Sequence, residues 1–162
     1  MSEKPSLIPL FIASKDRPVQ LKLLLESIEK NAPNLFDITV LYAGSSYAYQ
    51  LGYNRLKEET EGINWVEEQT VWRYAREGSE TPLRVERKKG VFIEQFRDFL
   101  EKNKDDHFCL MVDDNVVYRR IPVTAEEIRE MLDEDTFSFS LRLGRNTTIQ
   151  NHVDGQPQLP LN

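Results

Sequence analysis

The chain holds one cysteine, Cys109, among 162 residues, so it cannot form an internal disulfide. Inside the apolar run 108–112 that thiol reads as a small buried hydrophobe. Basic residues are not in excess: 21 Lys and Arg against 27 Asp and Glu leave a formal charge of −6, which argues against general nucleic-acid binding, where a basic face is the usual footprint. No apolar stretch approaches membrane-spanning length, and no charged segment followed by an apolar core opens the chain; the expected location is a reducing cytoplasm. Asn146-Thr147-Thr148 fits a glycosylation sequon, but without a secretory signal it reads as coincidence. Internal repeats, low-complexity tracts and interdomain linkers are absent, and the length suits one domain over 1–162 with an irregular tail at about 145–162.

Against these absences stands one stretch that organises the rest. Phe108-Cys109-Leu110-Met111-Val112 is apolar without alternation, the habit of a strand buried on both faces of a parallel sheet. It stops at Asp113-Asp114-Asn115. In open α/β sheets ligands bind outside the carboxyl ends of strands, so these oxygen-bearing side chains lie where chemistry is expected. Adjacent carboxylates repel, and a hard divalent cation such as Mg²⁺ or Mn²⁺ relieves the repulsion and in turn holds phosphates. The plainer alternative is an acidic turn that merely ends a strand.

The remaining pattern is strand and helix in alternation. Residues 7–13 form an apolar run with Pro9 at its entrance, followed by Ser14-Lys15-Asp16-Arg17-Pro18, where Ser14 or Asp16 can cap a helix and Pro18 suits its first turn. Leu21, Leu24, Leu25 and Ile28 continue at helical spacing. A second strand at 38–43 leads through Gly44-Ser45-Ser46 into a helix reaching about Thr60. Its Tyr47, Tyr49 and Tyr53 can stack on a base or pack against a sheet. A short strand follows at 63–66. Segment 69–89 is poorly periodic and ends in a basic loop, Arg84, Arg87, Lys88 and Lys89 before Gly90, suited to a diphosphate or simply solvated. Phe92, Phe96, Phe99 and Leu100 mark a helix to Asn103; 116–121 reads as a short strand; Thr124 with Glu127 forms a capping box for a helix through Leu132; 136–143 alternates as a half-buried strand after an acidic turn, Asp133 to Asp135.

This order resembles the N-terminal, donor-binding half of a GT-A-fold, nucleotide-diphospho-sugar glycosyltransferase over residues 7–146. Asp16-Arg17-Pro18 is similar to the Asn-Arg-Pro or Asp-Arg-Pro after the first strand of such enzymes, Asp113-Asp114-Asn115 occupies the place of their Asp-x-Asp metal motif, and Ser140-Leu141-Arg142-Leu143-Gly144 resembles the strand after that motif in some bacterial members. The resemblance implies a three-layer α/β/α sandwich with a mainly parallel, mixed sheet, and a hexosyltransferase. Its donor, a nucleoside-diphosphate sugar, would meet Ala13, Ser14, Asp16, Arg17, Gly90, Asp113 and Asp114, with a divalent metal (Mn or Mg) on Asp113 and Asn115. The metal would act as a Lewis acid on the leaving diphosphate, Arg17 would meet a phosphate, and Asp114 would touch ribose or sugar hydroxyls.

Three departures accompany it. Asn115 replaces a carboxylate; Tyr42-Ala43-Gly44 stands where many relatives carry an Asp that recognises uracil; and relatives continue past this length into an acceptor half, so the acceptor is unknown and no residue is assigned as catalytic base. Two other readings follow from the same residues. A non-catalytic nucleotide-binding or interaction domain could keep this fold. A haloacid-dehalogenase-like phosphatase carries its nucleophilic Asp at the first strand and needs a second acid that Asn115 cannot supply.

Overall fold

The computed structural model describes residues 7–68, 70–74, 82–87, 91–104 and 107–132. By contacts the chain separates into a compact unit, Met1–Arg129, and a second, Glu130–Asn162. The expected strand at 136–143, the acidic turn before it, the tail, Lys88, Lys89 and Gly90 lie outside the described residues.

Strands β1 (Ile8–Lys15), β2 (Phe36–Ala43), β3 (Asn64–Glu67) and β6 (Cys109–Val112) form a sheet in the order β3-β2-β1-β6, every pairing parallel. Parallel neighbours cannot be joined by a hairpin, and helices α1 (Pro18–Asn31) and α2 (Tyr47–Glu59) make two of the three crossovers, β1 to β2 and β2 to β3. The chain is therefore α/β, and the mixed character expected of the sheet is not seen among its four described strands. Antiparallel pairing occurs instead in a separate ribbon of β4 (Thr70–Tyr74) and β5 (Pro82–Arg87), followed by α3 (Val91–Lys102). Arg84 and Arg87, expected in a basic loop, are residues of β5. Interleaved charge concealed both strands from a reading by periodicity, although Thr, Val, Trp and Tyr favour extended backbone.

Helices cover both faces of the sheet. Leu10, Ile12, Val40 and Tyr42 pack with Leu21, Leu24, Leu25 and Ile28 of α1 and Tyr53 and Leu56 of α2. The spacing i, i+3, i+4, i+7 on α1 places Leu21, Leu24, Leu25 and Ile28 on that one face, while Val19 and Leu23 stay exposed. Phe11 and Leu41 point the other way and meet α3, with Phe11 centroids 4.9 Å from Phe96 and 5.1 Å from Phe99. Pro9 is tolerated in this central strand because the register with β6 begins only at Leu10; Ile8 donates to Leu35 on the β2 side, so the donor that Pro9 lacks would have faced the unpaired side.

Two expectations are corrected here. β6 is not buried on both faces: Cys109 and Met111 pack against the α1 side, while Leu110 and Val112 are 55% and 45% exposed, because β6 is an edge of the described sheet. Residues 116–121 do not form a strand. They run along α1, where the Ser27 hydroxyl accepts from Val117 N–H at 3.0 Å, the Asn31 side chain donates to the Val117 carbonyl, and Ile121 N–H reaches the Asn31 carbonyl at 2.7 Å. Partners on a helix take the backbone groups that a neighbouring strand would have used. The capping box is formed: Thr124 N–H donates to Glu127 Oε2 at 2.7 Å and Glu127 N–H to Thr124 Oγ1 at 3.2 Å, opening α4 (Ala125–Met131).

Helices α1 and α2 meet where Gly52 faces Pro18: a Cβ on Gly52 would stand 2.6 Å from Pro18 Cγ. Alanine gains about 1 kcal/mol of helix propensity over glycine, and the overpacking costs about 1–3 kcal/mol, so Gly52→Ala should destabilise the fold while Pro18→Ala in the same chain recovers the loss. A double-mutant cycle by chemical denaturation checks this; a stabilised Gly52→Ala would show that the ring yields freely.

Candidate functional site

Strand order reverses between β1 and β6, since β2 and β3 were laid down on one side of β1 and β6 on the other. The crevice beyond the carboxyl ends of two such strands is where α/β sheets bind ligands. Here it is bordered by the β1–α1 turn, the β2–α2 turn and the residues after β6.

The last β1–β6 register pair is Ala13 with Val112. Beyond it Asp113 N–H donates to the Ala13 carbonyl at 3.3 Å, and Asp113 Oδ2 accepts from Lys15 N–H at 3.3 Å, so a side chain continues the ladder after the strand has turned away. Asp113 lies at the strand end where ligands are expected, yet it is buried, with its side chain 7% exposed. Arg17 Nη1 lies 3.5 Å from Asp113 Oδ1 and 3.7 Å from Asp114 Oδ2; the Arg17 and Asp114 side chains are 51% and 59% exposed.

The turn that carries Arg17 is fixed by its own polar contacts. Asp16 adopts φ 59°, a left-handed conformation that Asp tolerates better than most residues. Its carboxylate accepts from Ser45 N–H and, at 2.7 Å, from Ser45 Oγ, tying the first turn to the second. Ser14 Oγ lies 2.7 Å from Tyr53 Oη, and that hydroxyl accepts from Arg17 N–H at 3.1 Å. Neither Ser14 nor Asp16 therefore caps α1. Arg17 occupies the cap position with no side-chain cap bond, and Pro18 opens the helix. Among the described residues no side chain accepts from the first-turn N–H groups of α1 at this edge.

Ser14, Asp16, Arg17, Asp113 and Asp114 thus come together, and Ala13 contributes its carbonyl. Asn115 does not join them: its Oδ1 accepts from Val112 N–H at 3.0 Å and its N–H returns to the Val112 carbonyl. Gly90 lies outside the described residues. Sequence reasoning missed Ser45 and the role of Tyr53. The Gly44-Ser45-Ser46 turn was a visible signal for the first; Tyr53 suggested base stacking or packing, and nothing local pointed to its hydroxyl as a partner of Ser14 and Arg17. Gly44 is demanded by approach, since a Cβ there would stand 2.9 Å from Gln50 N. Tyr47 and Tyr49 are exposed, whereas Tyr53 packs under the sheet edge.

Among the described residues no three His, Cys, Asp or Glu side chains form a cage. Mg²⁺ is held by one or two carboxylates together with water and substrate phosphates, and Asp113 with Asp114 supplies that smaller set. Both contacts to the Asp113 carboxylate exceed the 2.7–2.9 Å usual for charge-assisted bonds, so this buried anion is weakly neutralised. The pair fits a hard cation; Asn115 does not complete the set while its oxygen serves Val112.

No family model, curated protein or solved structure matches the chain.

A second polar cluster stands at the ends of β2 and β3. Tyr42 donates to Glu67 Oε2 at 3.1 Å and accepts from Lys57, whose ammonium lies 4.4 Å from the ring centroid. Burial first, and the neighbouring Glu67 second, push the Tyr42 phenol up to about 12; burial raises Tyr53 as well. An unfolded tyrosine loses its proton near pH 10, so the stability given by the neutral Tyr42 phenol is complete below about pH 10 and lost as pH rises through about 12. Tyr42→Phe should flatten the decline of unfolding free energy over this window by an amount on the order of 2–3 kcal/mol. Denaturant titrations from pH 9 to 12 measure it, and parallel declines in parent and variant would exclude Tyr42 as the source.

Proposed function

We propose that this chain binds a nucleoside-diphosphate sugar at the carboxyl edge of β1 and β6, as the donor-binding half of a GT-A-fold glycosyltransferase. The observation that carries the reading is the meeting of Arg17, Asp113 and Asp114 at the point where strand order reverses. Arg17 provides a planar donor fork for phosphate, and the uncapped N-terminus of α1 adds backbone N–H groups of favourable polarity. Asp113 and Asp114 would hold a divalent cation, which when bound supplies Lewis-acid stabilisation of the leaving diphosphate. The neutral Tyr53 hydroxyl keeps Arg17 in place by accepting its backbone N–H.

A second reading, a nucleotide-binding domain without transfer activity, is favoured by one observation: Asp113 is buried and joins two segments, so this acid serves the fold as well as any ligand. Release of nucleoside diphosphate from sugar donors, with and without pooled acceptor sugars, separates the two readings. Hydrolysis of an aryl phosphate would support the phosphatase instead.

Titration calorimetry with UDP and GDP, with and without Mn²⁺, tests the shared premise. Binding should require or be strengthened by Mn²⁺, and Asp114→Asn should weaken it about tenfold or more with little change in melting temperature. Asp113→Ala should lose binding and also cost about 1–3 kcal/mol of stability, because Lys15 N–H and Arg17 lose their buried acceptor. If neither nucleotide binds in any buffer, the donor-site reading fails.

A further inference from the structure

We propose that Arg17 is an exchangeable counter-ion: it neutralises the Asp113–Asp114 pair in the free chain and moves to the diphosphate when a divalent cation takes the carboxylates. The inference rests on the donor-site reading and adds to it a coupling between two ligands. Three observations carry it. The Arg17 guanidinium reaches both carboxylates through one nitrogen, at 3.5 Å and 3.7 Å, rather than as a bidentate fork on either, so the pairing is weak enough to exchange. Its backbone is held, N–H on the Tyr53 hydroxyl and carbonyl on Leu21 N–H, between the anchored Asp16 and the rigid Pro18. Its side chain, by contrast, is half-exposed and meets only these two carboxylates among the contacts of the described residues.

Charge balance gives the direction. One arginine between two carboxylates leaves the cluster negative, so a diphosphate arriving alone meets repulsion and an Arg17 already engaged. Once the carboxylates have a cation, Arg17 is released toward the phosphate. Such coupling is reciprocal: each ligand raises the affinity of the other by the same factor.

The experiment uses the full chain and measures Mn²⁺ alone, UDP or GDP alone in chelator, and each in a saturating amount of the other, for the parent, Arg17→Gln and Arg17→Lys. Arg17→Gln should bind Mn²⁺ alone roughly three- to tenfold more tightly, the size expected on removing two long, weak competing pairs, one of them solvent-exposed. It should bind the nucleotide with Mn²⁺ about tenfold more weakly, and the coupling factor should shrink. Arg17→Lys should stay near the parent for Mn²⁺. Independently of any Arg17 variant, Asp114→Asn should bind the nucleotide alone more tightly than the parent does, since one repelling charge is gone. Unchanged or weaker Mn²⁺ binding by Arg17→Gln, or no gain for Asp114→Asn in chelator, would overturn the inference while leaving the donor site standing. Failure of every chain to bind nucleotide in any mixture would remove the donor site, and the inference with it.

Discussion

Burying the Asp113 carboxylate at the end of β6 obliges the chain to bring donors to it, and both come from where β1 runs into α1: the Lys15 N–H at the last position of β1 and the Arg17 guanidinium just beyond it. A buried charge without such partners is costly, so the turn is held against β6 by the charge it serves. The same carboxylate thereby fixes the distance between the two strand ends that frame the crevice. Placing it one residue earlier would turn it to the opposite face of the sheet, because successive side chains alternate.

Around this contact the turn is stiffened from the other side. Asp16 grips Ser45 of the β2–α2 turn, and Tyr53, fully buried beneath the edge, holds Ser14 and the Arg17 backbone together. The result is a rim whose backbone is tied from both sides, with the half-exposed Arg17 side chain at its edge. A rim of this kind presents charge without large reorganisation on binding, which is how preorganised sites gain affinity. Substituting Tyr53 or Asp16 would act through the position of Arg17 rather than through contact with a ligand.

Much of the frame was legible in the sequence. The leucines of α1 at helical spacing, the apolar run of β1 broken only by Pro9 and the Thr124–Glu127 box each state their structure locally, and all three elements are present. The β4–β5 ribbon was not legible, because charged residues interrupt its alternation. The exposure of Leu110 and Val112 was not legible either: an apolar run records what a strand can tolerate, whereas burial depends on which neighbours the topology brings to each face. At the candidate site, Asp16, Arg17, Asp113 and Asp114 stood out as residues that end strands or open helices. The turning of Asn115 toward Val112 did not, since an amide can serve a backbone donor as readily as an ion.

The sequence by itself determined the alternation of strand and helix, the α/β class and the positions at which polar residues interrupt the apolar strands, because apolar spacing and turn chemistry act over a few residues. Tertiary structure decided which of those polar residues meet. Arg17 and Asp113 are far apart in the chain, and only the return of β6 to the open side of β1 brings them within 3.5 Å. Tertiary structure likewise decided that Ser14 and Asp16 would forgo capping α1, because Tyr53 and Ser45 offered them partners from another helix and another turn. Local sequence supplies donors and acceptors; which of them pair is set by the long-range packing that removes water from between them.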